Sequence, residues 1–147
     1  MTTIATDGKT VAADGLITSD LIYSRSEVKI FHIGDEIVGT RGDCDLGQAY
    51  LDWLRAGSKK KDRPLFVPDP EDDGVWFEAL HVSKDGVFLV GGVNFSRIRM
   101  DAPIAIGSGG IVATTAMRCG LSPKEAVELA ATLDPHTGGL ITVMEIQ

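Results

Sequence analysis

Short runs of alternating apolar and polar residues dominate the chain, and helical spacing is confined to three places. A period of two predicts strands, whereas apolar residues three and four apart predict a helix. The predicted strands cover residues 4–6, 9–13, 16–18, 21–23, 28–33, 36–40, 75–83, 87–90, 93–98, 103–106 and 140–146. The predicted helices cover residues 46–54, 111–119 and 123–133. Strands and helices fall into separate blocks, which is typical of an α+β fold with antiparallel sheets.

Turn and capping residues mark the boundaries of these elements. Asp7-Gly8 is a strong hairpin signal between the first two strands. Asp43 or Asp45 caps the first helix, and residues 122–125 form a capping box with proline at the first helical position. Residues 58–74, rich in lysine, proline and acids, predict an exposed connection. Two sheets packed face to face and covered by helices would bury every apolar face in one domain spanning residues 1–147.

Composition excludes several classes of function. The net charge of −7 argues against a nucleic-acid binder, which usually presents a basic face. No apolar run approaches the roughly 20 residues that cross a membrane, and no basic segment followed by an apolar one marks a secretory signal. We therefore expect a cytoplasmic protein with free thiols at Cys44 and Cys119. The cysteines and the three histidines lack ligand spacing, so we expect no metal and no cofactor.

Thr2 is the residue with the clearest chemical potential. It is small enough for Met1 to be trimmed, which would leave its hydroxyl and a free α-amine on one residue. A nucleophile with a base in its own backbone is a recognised route to covalent catalysis. The ordinary pKa of an α-amine, about 7.7–8.0, suits a general base at working pH. The start of the chain therefore predicts a candidate N-terminal nucleophile.

Six segments carry a resemblance to a known family. In chain order they are Thr2-Thr3-Ile4, Asp14 with residues 15–18, Lys29, residues 37–43, residues 104–110, and Asp134 with residues 137–139. Together they resemble β-type proteasome subunits and the related subunit of a bacterial two-component ATP-dependent protease. Both are N-terminal nucleophile hydrolases. The resemblance implies a four-layer αββα sandwich of two antiparallel sheets covered by helices.

The resemblance also implies roles for individual residues. The hydroxyl of Thr2 would attack a carbonyl carbon, and its proton would pass to the α-amine with help from Lys29. Asp14 and Lys29 would form a buried pair, and the backbone N–H of Gly39 would donate to the developing oxyanion. Three polar residues would hydrogen-bond around the amine: Ser108, Asp134 and Thr137. Four residues would bind the substrate: Thr18 along its backbone, and Ile17, Ile37 and Arg41 in a pocket for an apolar or acidic side chain.

Three functions remain open at this point. The first is a threonine-type hydrolase of peptides or other amides, acting in a homo-oligomer with any ATP-dependent unfoldase partner undetermined. The second is a catalytically silent structural subunit with the same fold. The third is a phosphate-binding module at residues 107–110, where a glycine-rich loop starts a helix. The chain has no GxGxxG and no GxxxxGK[ST], so the third ranks last.

Overall fold

The computed structural model describes residues 1–65, 76–92 and 95–147. Its strands are β1 (Thr3–Thr6), β2 (Thr10–Ala13), β3 (Ile17–Thr18), β4 (Ile22–Ser24), β5 (Ile30–Ile33), β6 (Glu36–Gly42), β7 (Phe77–Ser83), β8 (Gly86–Gly91), β9 (Ser96–Met100), β10 (Ile104–Gly107) and β11 (Thr142–Glu145). Its α-helices are α1 (Cys44–Arg55), α2 (Gly110–Arg118) and α3 (Pro123–Leu133). The order of elements agrees with the pattern of the sequence.

The strands form two main sheets. The first has the order β10-β1-β2-β11 and the second the order β5-β6-β7-β8-β9, while β3 and β4 make a separate ribbon. Every pairing between neighbouring strands is antiparallel. The predicted α+β class with antiparallel sheets is therefore confirmed.

Alternation along the strands divides the core into three layers. Ile4, Ile37 and Leu80 lie between the two sheets, in a cluster drawn from both. Ala5, the next residue of β1, packs with α2 and α3 on the outer face of the first sheet. Val38, the next residue of β6, packs with α1 on the outer face of the second sheet. Helices thus cover both outer faces, which confirms the predicted four-layer αββα arrangement.

Helix α1 is tied to the second sheet by a buried polar chain. The Tyr50 hydroxyl lies 2.7 Å from His81 Nε2, and His81 Nδ1 lies 2.8 Å from Glu36 Oε2. Burial raises the pKa of Tyr50, so this phenol stays neutral. The hydrogen bond with His81 outweighs partial burial and, with Arg97, holds the pKa of Glu36 below its usual value of 4.5. This series of hydrogen bonds fixes the position of α1 over strands β6 and β7.

Capping and turn residues in the sequence predicted most ends of the helices and strands correctly. Asp43 is the N-cap of α1, and α3 begins with the predicted capping box at Ser122. The connection after α1 contains a short 3₁₀ helix at Lys60–Asp62, and its residues 66–74 lie outside the described part of the chain. The strand expected over residues 93–98 is observed as Ser96–Met100, with residues 93 and 94 not described.

Candidate active site

Lys29 and Asp14 form a buried ion pair at the beginning of the chain. Lys29 Nζ donates to Asp14 Oδ1 at 2.9 Å, to the Leu16 carbonyl at 2.7 Å and to the Met1 carbonyl at 3.1 Å. The side chain of Asp14 is fully buried and that of Lys29 is 5% exposed. The Met1 carbonyl carbon is bonded to the nitrogen of Thr2, so this contact sets the ammonium beside Thr2. The structure therefore brings together the three residues on which the predicted chemistry depends.

The Asp14 carboxylate also anchors three segments of backbone. Its Oδ1 accepts from the N–H of Thr3 at 2.9 Å. Its Oδ2 accepts from Leu16 at 3.3 Å and from Gly138 at 3.2 Å. These donors, together with the ammonium, satisfy a charge that would otherwise be costly to bury. Asp14 thereby joins the start of β1, the turn after β2 and the loop before β11.

The hydroxyl of Thr3 stands at the centre of a second hydrogen-bonded chain. It accepts from the Gly109 N–H at 2.9 Å and lies 2.7 Å from the Thr137 hydroxyl. The Thr137 hydroxyl in turn donates to Asp134 Oδ2 at 2.6 Å. The structure thus links Thr137 to the side chain of Thr3, whereas the sequence indicated the nitrogen of Thr2. Thr3 is a site residue that sequence reasoning missed, although its place next to Thr2 made it a candidate.

Asp134 and Ser108 complete this cluster. Burial alone would raise the pKa of Asp134, but hydrogen bonds from the side chains of Ser108 and Thr137 and from the His136 N–H hold it below its usual value of 3.8. Asp134 is therefore an anion at neutral pH. The backbone N–H of Ser108 donates to the Thr2 carbonyl at 3.2 Å. Ser108 thus contacts both the candidate nucleophile residue and the acid.

The loop at residues 107–110 forms hydrogen bonds with the N-terminal segment of the chain. Strand β10 pairs with β1, so that Gly107 lies opposite Thr3. The N–H groups of Ser108 and Gly109 are bonded to Thr2 and Thr3, which leaves them unavailable to an anion. The phosphate-binding interpretation of this loop is therefore not supported by its geometry.

Gly39 of β6 lies in close contact with Ile4 of β1, which belongs to the opposite sheet. A Cβ at this position would stand 2.7 Å from Ile4 Cδ1 and 2.9 Å from Ile30 Cγ2, distances that real Cβ atoms do not show. Its strand β6 runs beside β5, with Gly39 opposite Ile30. The missing side chain lets β1, and with it Thr2, pack directly against β6. The predicted oxyanion donor thus also has a packing reason to be glycine.

A cavity of about 160 Å³ opens beside Thr2. It is lined by Thr2, Ile17, Glu27, Val28, Lys29, Phe31, Thr40, Arg41, Gly42, Asp43, Cys44, Gln48 and Leu51. Two residues expected to line the substrate pocket, Ile17 and Arg41, are in this set. Thr18 is half-buried in the β3–β4 ribbon and is not among the lining residues.

The assignment of Ile37 to the pocket is wrong. Ile37 is 1% exposed and belongs to the core between the sheets. It lies four residues before Arg41 on the same face of β6, and four residues of strand span roughly 13 Å. Arg41 therefore lies at the cavity, whereas Ile37 is deep in the core.

Arg41 has partners that the sequence did not reveal. Its Nε donates to Glu78 Oε2 at 2.6 Å, and its guanidinium carbon lies 4.5 Å from the ring centre of Trp76. Arg41 and Glu78 face each other in the register between β6 and β7. Helix α1 and a long connection separate these strands in sequence, so local patterns carry no signal for this pair.

The remaining expectations concern metal binding, membrane insertion and the two cysteines. Within residues 1–65, 76–92 and 95–147, no group of three or more His, Cys, Asp or Glu side chains is placed to hold a metal ion. Over the same residues, no helix has the length and apolar character needed to cross a membrane. Cys44 and Cys119 are both free and exposed, as expected.

Comparison with known proteins gives a match in structure but not in sequence. No protein-family model matches the chain, and no curated protein matches it. Eukaryotic HslV from Trypanosoma brucei superposes with a TM-score of 0.68 at 17% identity, over 98% of both chains. BPH from Thiobacillus denitrificans gives 0.63 at 21% identity, over 99% of this chain and 98% of its own. The same protein in complex with epoxomicin gives 0.63 at 19% identity.

The agreement extends over nearly the whole length of each chain, with no large part of either left unmatched. This chain therefore has the proteasome-like N-terminal nucleophile hydrolase fold of HslV.

Proposed function

We propose that this chain is a threonine-type hydrolase that cleaves peptide or other amide bonds through an acyl-enzyme on Thr2, after Met1 has been removed. The observation that carries the proposal is the position of Lys29, whose ammonium bonds to Asp14 and to the carbonyl attached to the Thr2 nitrogen. A buried ammonium at this place favours loss of a proton from a neighbouring hydroxyl. It also disfavours protonation of a neighbouring amine, which keeps that amine available as a base.

The proposed reaction has two halves. The Thr2 oxygen attacks the substrate carbonyl, and its proton passes to the Thr2 amine and then to the leaving nitrogen as the C–N bond breaks. Water then attacks the resulting ester and gives a proton to the same amine, which passes it to the Thr2 oxygen as the ester bond breaks, releasing a carboxylic acid and restoring the Thr2 hydroxyl and free amine. The backbone N–H of Gly39 would stabilise the oxyanion in both halves, which typically contributes about 10²–10³ in rate.

Substitution of Thr2 tests this proposal. A panel of fluorogenic peptides is assayed with the wild-type chain, Thr2→Ala and Thr2→Ser, and intact mass establishes whether Met1 is absent. We expect turnover by the wild-type chain, none by Thr2→Ala and partial activity in Thr2→Ser, which keeps a hydroxyl. Thr115→Ala, an exposed position on α2 that does not line the cavity beside Thr2, is the matched control and should retain full activity. Wild-type turnover by Thr2→Ala would exclude the mechanism.

One observation favours the silent structural subunit as the second candidate. With Met1 in place, the Thr2 nitrogen is an amide, and the Met1 carbonyl already satisfies one donor of Lys29. A chain that retains Met1 in cells would have no α-amine on Thr2. An intact mass that includes Met1, together with no turnover of the panel, would favour this candidate.

We also propose a homo-oligomer in the cytoplasm, with any ATP-dependent unfoldase partner left undetermined. Exposed apolar side chains on the helical layer support association, since Ile111 on α2 is 86% exposed and Leu133 at the end of α3 is 68% exposed. The two free thiols fit a reducing compartment. Light scattering after size exclusion tests the assembly, and a monomer at micromolar concentration would contradict it.

A further inference from the structure

The cavity beside Thr2 has room for one side chain. Its volume is about 160 Å³, and a protein cavity of about 150 Å³ accommodates benzene. Under the proposed function, on which this inference rests, its occupant is the side chain of the substrate residue whose carbonyl is attacked. The charges that line the cavity then decide which side chain binds.

The two cations at the cavity are already neutralised. Lys29 directs its ammonium at Asp14 and at two backbone carbonyls. Arg41 is paired with Glu78 and stacked against Trp76. A cation that already has a carboxylate partner offers a second carboxylate little net attraction, because the pair is close to neutral overall. The cavity therefore lacks the feature needed to select an acidic side chain.

Unlike the two cations, the acidic residues that line the cavity form no ion pair with a described residue. Asp43 accepts the Leu46 N–H as the N-cap of α1 and forms no ion pair with a described residue. Glu27 lies in an exposed position and likewise has no ionic partner within the described part of the chain. Next to it, Val28 is 45% exposed and contributes apolar surface. Lysine and arginine side chains suit such a wall, because their aliphatic stems pack on apolar groups while the charged end reaches an acid.

We propose that this cavity selects substrates with a basic side chain at the residue preceding the cleaved bond, and that Glu27 is the residue that determines this preference. The pairing of Arg41 with Glu78 removes the basis for an acidic preference, which the sequence had left open beside an apolar one. Selection of this kind depends on the charge at Glu27 and weakens as salt screens the pair.

Three coumarin amides that differ only in the residue before the cleaved bond, Lys, Leu or Glu, provide the test. We expect kcat/KM to follow the order Lys, Leu, Glu, with Lys favoured over Leu by roughly threefold to fivefold at low salt, as for a partly exposed ion pair. Glu27→Gln should bring the Lys-to-Leu ratio close to one, and Glu27→Lys should favour the Glu peptide. Asp20→Asn removes an exposed carboxylate that does not line the cavity and should keep the wild-type ratio.

A binding experiment separates this inference from the proposed function. Fluorescein-labelled peptide amides that end in Lys, Leu or Glu are titrated into Thr2→Ala, with and without Glu27→Gln, and followed by anisotropy. If no peptide is hydrolysed but the Lys peptide binds best and loses that advantage in Glu27→Gln, the charge preference stands without the hydrolase. If hydrolysis proceeds with equal ratios, the hydrolase stands and the preference is overturned. Equal binding and no hydrolysis would overturn both.

Discussion

Replacing Asp14 with alanine is expected to destabilise the fold more than any other single change at the site. The substitution leaves the Lys29 ammonium buried without its counter-charge and removes the acceptor of three backbone N–H groups. Breaking a buried ion pair by removing one partner costs about 3–5 kcal/mol. We expect a loss of that size in the free energy of unfolding.

Replacing the other partner should cost less. Lys29→Met keeps most of the aliphatic length and removes the charge, while the Asp14 carboxylate keeps its three backbone donors. The loss is then that of hydrogen bonds to one charged group, about 1.5–3 kcal/mol. The double variant should be less destabilised than the sum of the two single variants, because it contains no uncompensated charge.

Urea unfolding followed by far-ultraviolet circular dichroism measures these differences, provided that the slope with denaturant stays constant between variants. Asp14→Asn is included because it retains one acceptor oxygen and should fall between the wild-type chain and Asp14→Ala. A Lys29→Met variant that is as unstable as Asp14→Ala, or more so, would refute the reasoning. It would mean that the ammonium, rather than the carboxylate, holds this part of the fold together.

Three further predictions concern other parts of the chain. In urea unfolding, Gly107→Ala should lower the free energy of unfolding clearly more than the control, Gly120→Ala. Both glycines have φ near +100°, so the control should lose about 1–2 kcal/mol from backbone strain alone. Of the two positions, only Gly107 would also bring the added Cβ against a backbone carbonyl. Glu36→Gln should lower stability at neutral pH, where the wild-type carboxylate is ionised and bonded to His81. Because the pKa of Glu36 is depressed in the folded chain, this difference from wild type should shrink as the pH falls below the usual value of 4.5 and the native carboxylate protonates. A difference independent of pH would contradict this. Ser122→Ala should cost about 1 kcal/mol through loss of the capping box and leave peptide hydrolysis unchanged.

The parts of the structure that depend on local chemistry were accessible from the sequence. The start of α3 follows from Ser122 and Glu125, which satisfy each other's backbone donors within four residues. The hairpin between β1 and β2 follows from Asp7-Gly8. The resemblance across six segments then indicated the layered fold and the approach of Asp14 and Lys29 to Thr2.

Contacts between strands that are distant in sequence could not be predicted from local sequence patterns. The pairing of Arg41 with Glu78 depends on the register of β6 against β7, which is set by packing across both faces of the sheet. The same packing decides that Ile37 lies in the core although it shares a face with Arg41. Period-two alternation identifies a strand face but not how far along that face the neighbouring layer extends.

The hydrogen bonds around the beginning of the chain have a consequence for folding. Thr3 is bonded to Thr137 and Asp14 to Gly138, contacts between residues 134 and 124 positions apart in the sequence. Contacts of such long separation require the closure of a very large loop, which costs chain entropy before the contact can form. We therefore expect the hydrogen bonds around Thr3 and Asp14 to form late in folding, after the local hairpins and helices.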